Sequence, residues 1–144
     1  ETIAKLLYIF ERFWQEILRF SRRTESQINH WAARYGYKDR GKEILKEAKH
    51  GANGRYACIN LTNTDTIEFR VFRGTLKYNT VIATLQFVAN LCRVAISLPE
   101  YRIQEFSWPA LIEALTQDNC PELVQYLKER NLYVNEPVTA EREV

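Results

Sequence analysis

TIEFRVFRGTL, residues 66–76, sets Ile67, Phe69 and Val71 in alternation with Glu68, Arg70 and Phe72, the period-two signature of a half-buried β-strand. Just upstream, RYACINL (55–61) alternates Ala57, Ile59 and Leu61 with Tyr56, Cys58 and Asn60. The linker Thr62-Asn63-Thr64-Asp65 is made of turn formers, so strands at about 55–61 and 66–73 read as a β-hairpin. Side-chain alternation sets the register. Pairing Asn60 with Glu68, Cys58 with Arg70 and Tyr56 with Phe72 puts both apolar rows on one side, whereas a one-residue slip mixes the faces. The expected hairpin has an apolar back and a front carrying Asn60, Glu68 and Arg70.

Around the hairpin the sequence is helical. Residues 2–20 place Ile3, Leu6, Leu7, Phe10, Phe13, Trp14, Ile17 and Leu18 at three- and four-residue steps, predicting one long amphipathic helix with its aromatics in the core. Thr24 or Ser26 opens a short helix running to about Arg34, and Lys42–His50 reads as another, closed by Gly51-Ala52-Asn53-Gly54. Beyond Gly74, a helix from about Asn79 to Ser97 is predicted to turn Val81, Leu85, Val88, Leu91, Cys92 and Ala95 inward. Pro99 ends it, and Trp108-Pro109 and Pro121 open two more helices. The fold class is α+β, predominantly helical. Two strands make a poor sheet alone, so the hairpin is expected to complete a larger sheet whose other strands lie outside this chain.

Composition restricts the function classes. The chain has 144 residues, 46% hydrophobic and 26% charged, which suits a globular domain over residues 1–134 with a flexible polar tail at 135–144. The net charge of +2 is too even to imply a nucleic-acid or membrane partner. No apolar run is read as reaching the roughly 18 residues a membrane helix requires. Cys58, Cys92 and Cys120 are far apart and lack metal-ligand spacing, and together with the missing signal-peptide pattern this leads us to expect a cytoplasmic protein. His30 and His50 stand alone, so zinc is not expected. The chain has no Met and opens Glu1-Thr2, which reads as part of a longer protein.

Glu68 and Arg70 are candidates for chemistry. Two residues apart on a strand, their side chains leave the same face, about 7 Å apart along it. There a carboxylate can bind Mg²⁺ while the guanidinium forks onto a phosphate bridged by that metal. Asn60 would be their cross-strand neighbour, with Arg55 and Arg73 at the far end of the hairpin. The competing reading is a solvated strand face with a surface ion pair of little energetic weight. Arg19, Arg22, Arg23, Arg34 and Arg40 with Trp31, Tyr35 and Tyr37 form a basic and aromatic cluster. It reads more simply as a solvated helical face with core aromatics than as a nucleic-acid surface.

The run Arg55-Tyr56, Asn60-Leu61, Thr66-Ile67-Glu68-Phe69-Arg70, Phe72 and Gly74-Thr75-Leu76 resembles the carboxy-terminal signature of the amidoligases. These are phage and bacterial relatives of glutamine synthetase and glutamate–cysteine ligase, and the resemblance covers most of residues 1–98. It implies an enzyme that forms amides from small-molecule or peptide carboxylates and amines, using ATP and Mg²⁺. Glu68 would then be a metal ligand and Arg70 a phosphate contact, with Arg55, Asn60 and Arg73 as further nucleotide or substrate contacts. The family's amino-terminal G-x-E-x-E and H-x-H strands, which carry further metal ligands, are not present in this sequence. The resemblance therefore implies a carboxy-terminal portion that needs the amino-terminal half of the same domain and is inactive alone. The alternative is a non-catalytic helical module that keeps the scaffold and binds a protein partner.

Overall fold

The computed structural model describes residues 1–49, 56–63 and 65–133. Arg55, His50, the glycine-containing stretch 51–54 and the tail from 134 lie outside the described residues. Where composition suggests one domain, the chain forms two compact units, residues 1–74 and 75–144.

The first unit holds α1 (Thr2–Arg12), α2 (Trp14–Ser21), α3 (Glu25–Trp31), α4 (Gly41–Lys49), β1 (Ile59–Asn60) and β2 (Glu68–Phe69). The single helix expected over 2–20 is divided at Phe13, whose backbone leaves the helical region at φ −104°, ψ 34°. Hydrogen bonds from Phe13 N to Ile9 O and from Ile17 N to Phe13 O still span the break. Phe13 and Trp14, on either side of the break, are both buried. Leu6, Leu7, Ile9 and Phe10 of α1 are fully buried, and α4 packs on this helix through Ile44 and Ala48. Each such large side chain contributes about 1.5–3 kcal/mol relative to exposure.

A capping box starts α3: Thr24 Oγ1 accepts from Gln27 N at 3.2 Å, and Gln27 Oε1 accepts from Thr24 N at 3.1 Å. Beyond α3, one buried acid organises the chain. Glu11 Oε1 accepts from Arg34 Nε at 2.8 Å and pairs with Arg34 Nη2 at 2.7 Å, while Oε2 accepts from Tyr35 N at 2.9 Å. The Tyr35 hydroxyl then donates to Ile59 O at 2.7 Å, tying the segment to β1.

β1 and β2 are antiparallel, with Ile59 opposite Phe69 and Asn60 opposite Glu68, the register read from the alternation. Arg70 N continues it by donating to Cys58 O at 2.8 Å. The strands are far shorter than 55–61 and 66–73, because neighbouring backbone groups find other partners. Ala33 forms a parallel bridge to Ala57, with Ala33 N bonded to Tyr56 O and Cys58 N to Ala33 O. Arg73 N donates to Ser21 O at 2.9 Å. The expected pairing of Tyr56 with Phe72 is replaced by two aromatic contacts: Tyr56 meets Trp31 and Phe72 meets Phe20. Cys58, placed on the hairpin front by alternation, is fully buried.

The second unit holds α5 (Tyr78–Ser97), α6 (Glu100–Gln104), α7 (Trp108–Leu115) and α8 (Pro121–Glu129). Pro109 and Pro121 occupy first-turn positions as expected, whereas α6 has no counterpart in the sequence reading. α5 buries Thr80, Ala83, Phe87, Leu91, Val94 and Ala95. Leu91 and Ala95 face inward as predicted, but Val81 and Leu85 are exposed and Val88 and Cys92 are half-buried. Only one of its residues, Arg93, is charged, so hydrophobic periodicity cannot choose between faces. Polar groups choose. Gln86 Oε1 accepts from Leu123 N at 2.9 Å, capping α8, whose own N-cap residue Cys120 makes no side-chain cap bond. Gln86 Nε2 donates to Glu122 Oε2, and this bond holds the Glu122 carboxyl below its ordinary pKa. Although polar residues interrupt its apolar run, α5 has the length and apolarity of a membrane span, with a mean hydropathy of 1.5. It packs here against α7 and α8.

Two substitutions test these supports. Gln86→Ala, which leaves the Leu123 amide uncapped, is expected to cost about 1 kcal/mol in urea unfolding. Burial, then nearby Cys58 and Glu11, push the Tyr35 hydroxyl from 10.0 up to about 12. A raised pKa favours the protonated folded state, so this stabilisation is complete below pH 10 and is lost as pH rises through about 12. Tyr35→Phe is expected to remove that alkaline component and to cost about 1 kcal/mol at neutral pH. Unfolding curves from pH 7 to beyond pH 12 measure both.

Candidate functional site

The hairpin front brings three of the sequence-predicted residues into contact. Glu68 Oε1 pairs with Arg70 Nη1 at 3.1 Å and accepts from Asn60 Nδ2 at 3.3 Å. Asn60 is only 3% exposed, and its Oδ1 accepts from Thr62 N at 3.0 Å and Thr62 Oγ1 at 2.8 Å. These bonds fix the amide so that its N–H points at Glu68. Asn60 therefore positions the carboxylate from below, while the Glu68 and Arg70 side chains remain 47% and 26% exposed. Arg70 Nε donates to Trp31 O at 3.3 Å, and its guanidinium lies over the Tyr56 ring, 5.4 Å from the centroid. Arg73 is exposed in the segment beyond β2, and Arg55 falls outside the described residues.

The arginines after α2 have a task that their sequence position does not suggest. Arg22 takes the left-handed conformation at φ 63°, ending the helix, and its Nη2 donates to Arg73 O at 2.6 Å. Arg23 reaches the same segment: Nε donates to Val71 O at 3.0 Å, and Nη2 to Arg70 O at 3.3 Å and Phe72 O at 3.4 Å. One guanidinium thus binds three successive carbonyls, which a strand partner would otherwise claim. Burial, then the charges of Arg70 and Arg73, lower the Arg23 pKa, so three guanidiniums gather at this end of the hairpin. With Arg34 bound to Glu11, three of these arginines are structural where a solvated helical face was expected, while Arg19 and Arg40 are exposed. Trp31 and Tyr37, expected in the core, are 45% and 48% exposed. A lone Arg-Arg pair gives no sign of such use; the spare carbonyls beyond a short strand are the only signal, and they are visible only in the fold.

Among the described residues, no group of three or more His, Cys, Asp or Glu side chains could hold a metal ion. Glu68 is a single carboxylate, which suits Mg²⁺ carried in by a polyphosphate, since Mg²⁺ keeps most of its water and often takes one or two protein carboxylates. The chain does contain one Glu-x-Glu run, Glu141-Arg142-Glu143, without the family's preceding glycine, and it lies outside the described residues. A cavity of about 450 Å³ is lined by Leu61 and Ile67 with Ile3, Leu45, Lys49 and Asp65; Asn60, Glu68 and Arg70 do not line it. The chain matches no protein-family model, no curated protein and no solved structure.

Arg23→Ala is expected to destabilise the first unit by about 2–3 kcal/mol, because charged hydrogen bonds to carbonyls are lost. Arg23→Lys is expected to recover little of this, since an ammonium cannot fork across successive carbonyls. Thermal unfolding of both variants measures the difference.

Proposed function

We propose that the hairpin front forms one wall of a Mg·ATP site in an ATP-dependent carboxylate–amine ligase. The observation that carries the reading is the convergence of Glu68, Arg70 and Asn60 on one partly exposed face, with Asn60 buried and bonded so as to aim Glu68. A surface ion pair with no further use needs no buried amide beneath it. The amidoligase-like sequence of these same residues supports the reading from a separate direction.

On this reading Glu68 offers an oxygen to Mg²⁺, and Arg70 exchanges its partner from Glu68 to a phosphate oxygen. Mg²⁺ supplies charge neutralisation along the polyphosphate. Arg70 keeps its orientation during the exchange, because Trp31 O and the Tyr56 ring still hold it. Arg73 adds positive charge where the phosphates would lie. The reaction class is transfer of a phosphoryl group to a carboxylate, followed by displacement of phosphate by an amine. The remaining metal ligands would come from strands outside this sequence, and the hairpin would extend their sheet.

A second reading draws on the second unit, where Leu76, Tyr78, Leu85, Ile96 and Tyr101 are more than 60% exposed. Exposed apolar side chains in such number favour a protein-binding module.

The test is amine-dependent release of ADP from Mg·ATP by the longest natural protein containing this sequence, beside Glu68→Gln. Turnover in the parent and a loss of at least about 100-fold in Glu68→Gln, with circular dichroism unchanged, is the expected outcome. Equal turnover in both removes Glu68 from the chemistry. No turnover across a broad panel of carboxylates and amines favours the binding module.

A further inference from the structure

Trp31, the last residue of α3, stands apart from the other tryptophans: it is 45% exposed, whereas Trp14 and Trp108 are 6% and 8% exposed. A single exposed aromatic is ordinary on a protein surface; the neighbours of this one are not. The His30 ring meets it 4.2 Å away at 85°, and the Tyr56 ring 5.8 Å away at 73°. Both contacts are close to perpendicular, so neither ring lies flat on the indole. Tyr56 in turn carries the Arg70 guanidinium at 5.4 Å, and Arg70 Nε is bonded to the carbonyl of Trp31 itself. Contact by contact, indole, phenol ring, guanidinium and the Glu68 carboxylate form a row in which an exposed π-surface adjoins charge suited to phosphate and metal.

A ligand complementary to that row has a planar ring joined to a polyanion. We propose that Trp31 is the stacking platform for the base of a nucleoside triphosphate whose phosphates lie toward Arg70. This rests on the nucleotide site proposed above and goes beyond it by assigning the base end. Every base has a π-face, so stacking of this kind discriminates weakly among bases. ATP and GTP should bind alike, and phosphate contacts alone should not reproduce the binding.

The test uses the 144-residue chain, in which Trp31 is the one tryptophan that is not buried. Tryptophan fluorescence is followed during titration with Mg·ATP, Mg·GTP and inorganic tripolyphosphate, with equilibrium dialysis as an independent measure of binding. Both nucleotides are expected to quench the emission. Tripolyphosphate should compete with them without quenching. Trp31→Ala is expected to weaken ATP roughly 10- to 100-fold while leaving tripolyphosphate unchanged, and Trp31→Phe to retain most of the affinity. ATP bound equally well by Trp31→Ala, or ATP no tighter than tripolyphosphate, overturns the assignment and leaves the ligase reading standing. ATP bound through Trp31 by the 144-residue chain, with no amine-dependent ADP release by the longest natural protein that contains it, sinks the ligase reading and leaves the platform standing. No binding of either nucleotide overturns the platform.

Discussion

The first unit is organised around a carboxylate that is almost completely out of water. Glu11, 3% exposed, would be untenable as an isolated buried charge, because desolvation alone costs several kcal/mol. It persists because Arg34 and the amide of Tyr35 satisfy both oxygens. That requirement draws residues 34–35 against α1. From there Tyr35 reaches Ile59 O, and Ala33 brackets Tyr56 and Cys58. The end of α3 is thereby brought beside β1, and Trp31 O becomes available to Arg70. The orientation of the charged front therefore descends from one satisfied buried acid.

A second constraint acts on the other strand. A two-residue ladder leaves the carbonyls of residues 70–73 without strand partners, and Arg22 and Arg23 supply the missing donors. Guanidinium groups suit this because several N–H vectors diverge from one rigid plane. The consequence is electrostatic as well as structural. Arg23 is placed near Arg70 and Arg73, and like charges held together favour an anion among them. The pairing of Glu68 with Arg70 balances part of that field while leaving both side chains partly in solvent, where their attraction is weak enough to be exchanged.

Much of this is legible in the residue pattern. The hairpin register follows from alternation alone, because a slip would move Ile59, Ile67 and Phe69 off their common face. The proline-led starts of α7 and α8 and the cap of α3 follow from local backbone chemistry. Other features are not legible. The break at Phe13 has no proline or glycine to mark it, and the inward face of α5 differs from the expected one because that helix is apolar nearly all round. Gln86 fixes that face by capping another helix 37 residues away, a relation with no local signature. The site divides in the same way. Glu68, Arg70 and Asn60 emerge from spacing, whereas Trp31 and Arg23 look in the sequence like a helical or core background.

The sequence by itself determined which residues share a face, where helices start, and that Glu68 and Arg70 stand side by side, because period and capping act within a few residues. Tertiary structure alone decided where the strands stop, what the arginines hold, and which aromatic stands beside the charged pair. Those outcomes depend on which distant group satisfies each buried carbonyl or carboxylate, and that pairing exists only once the chain has folded.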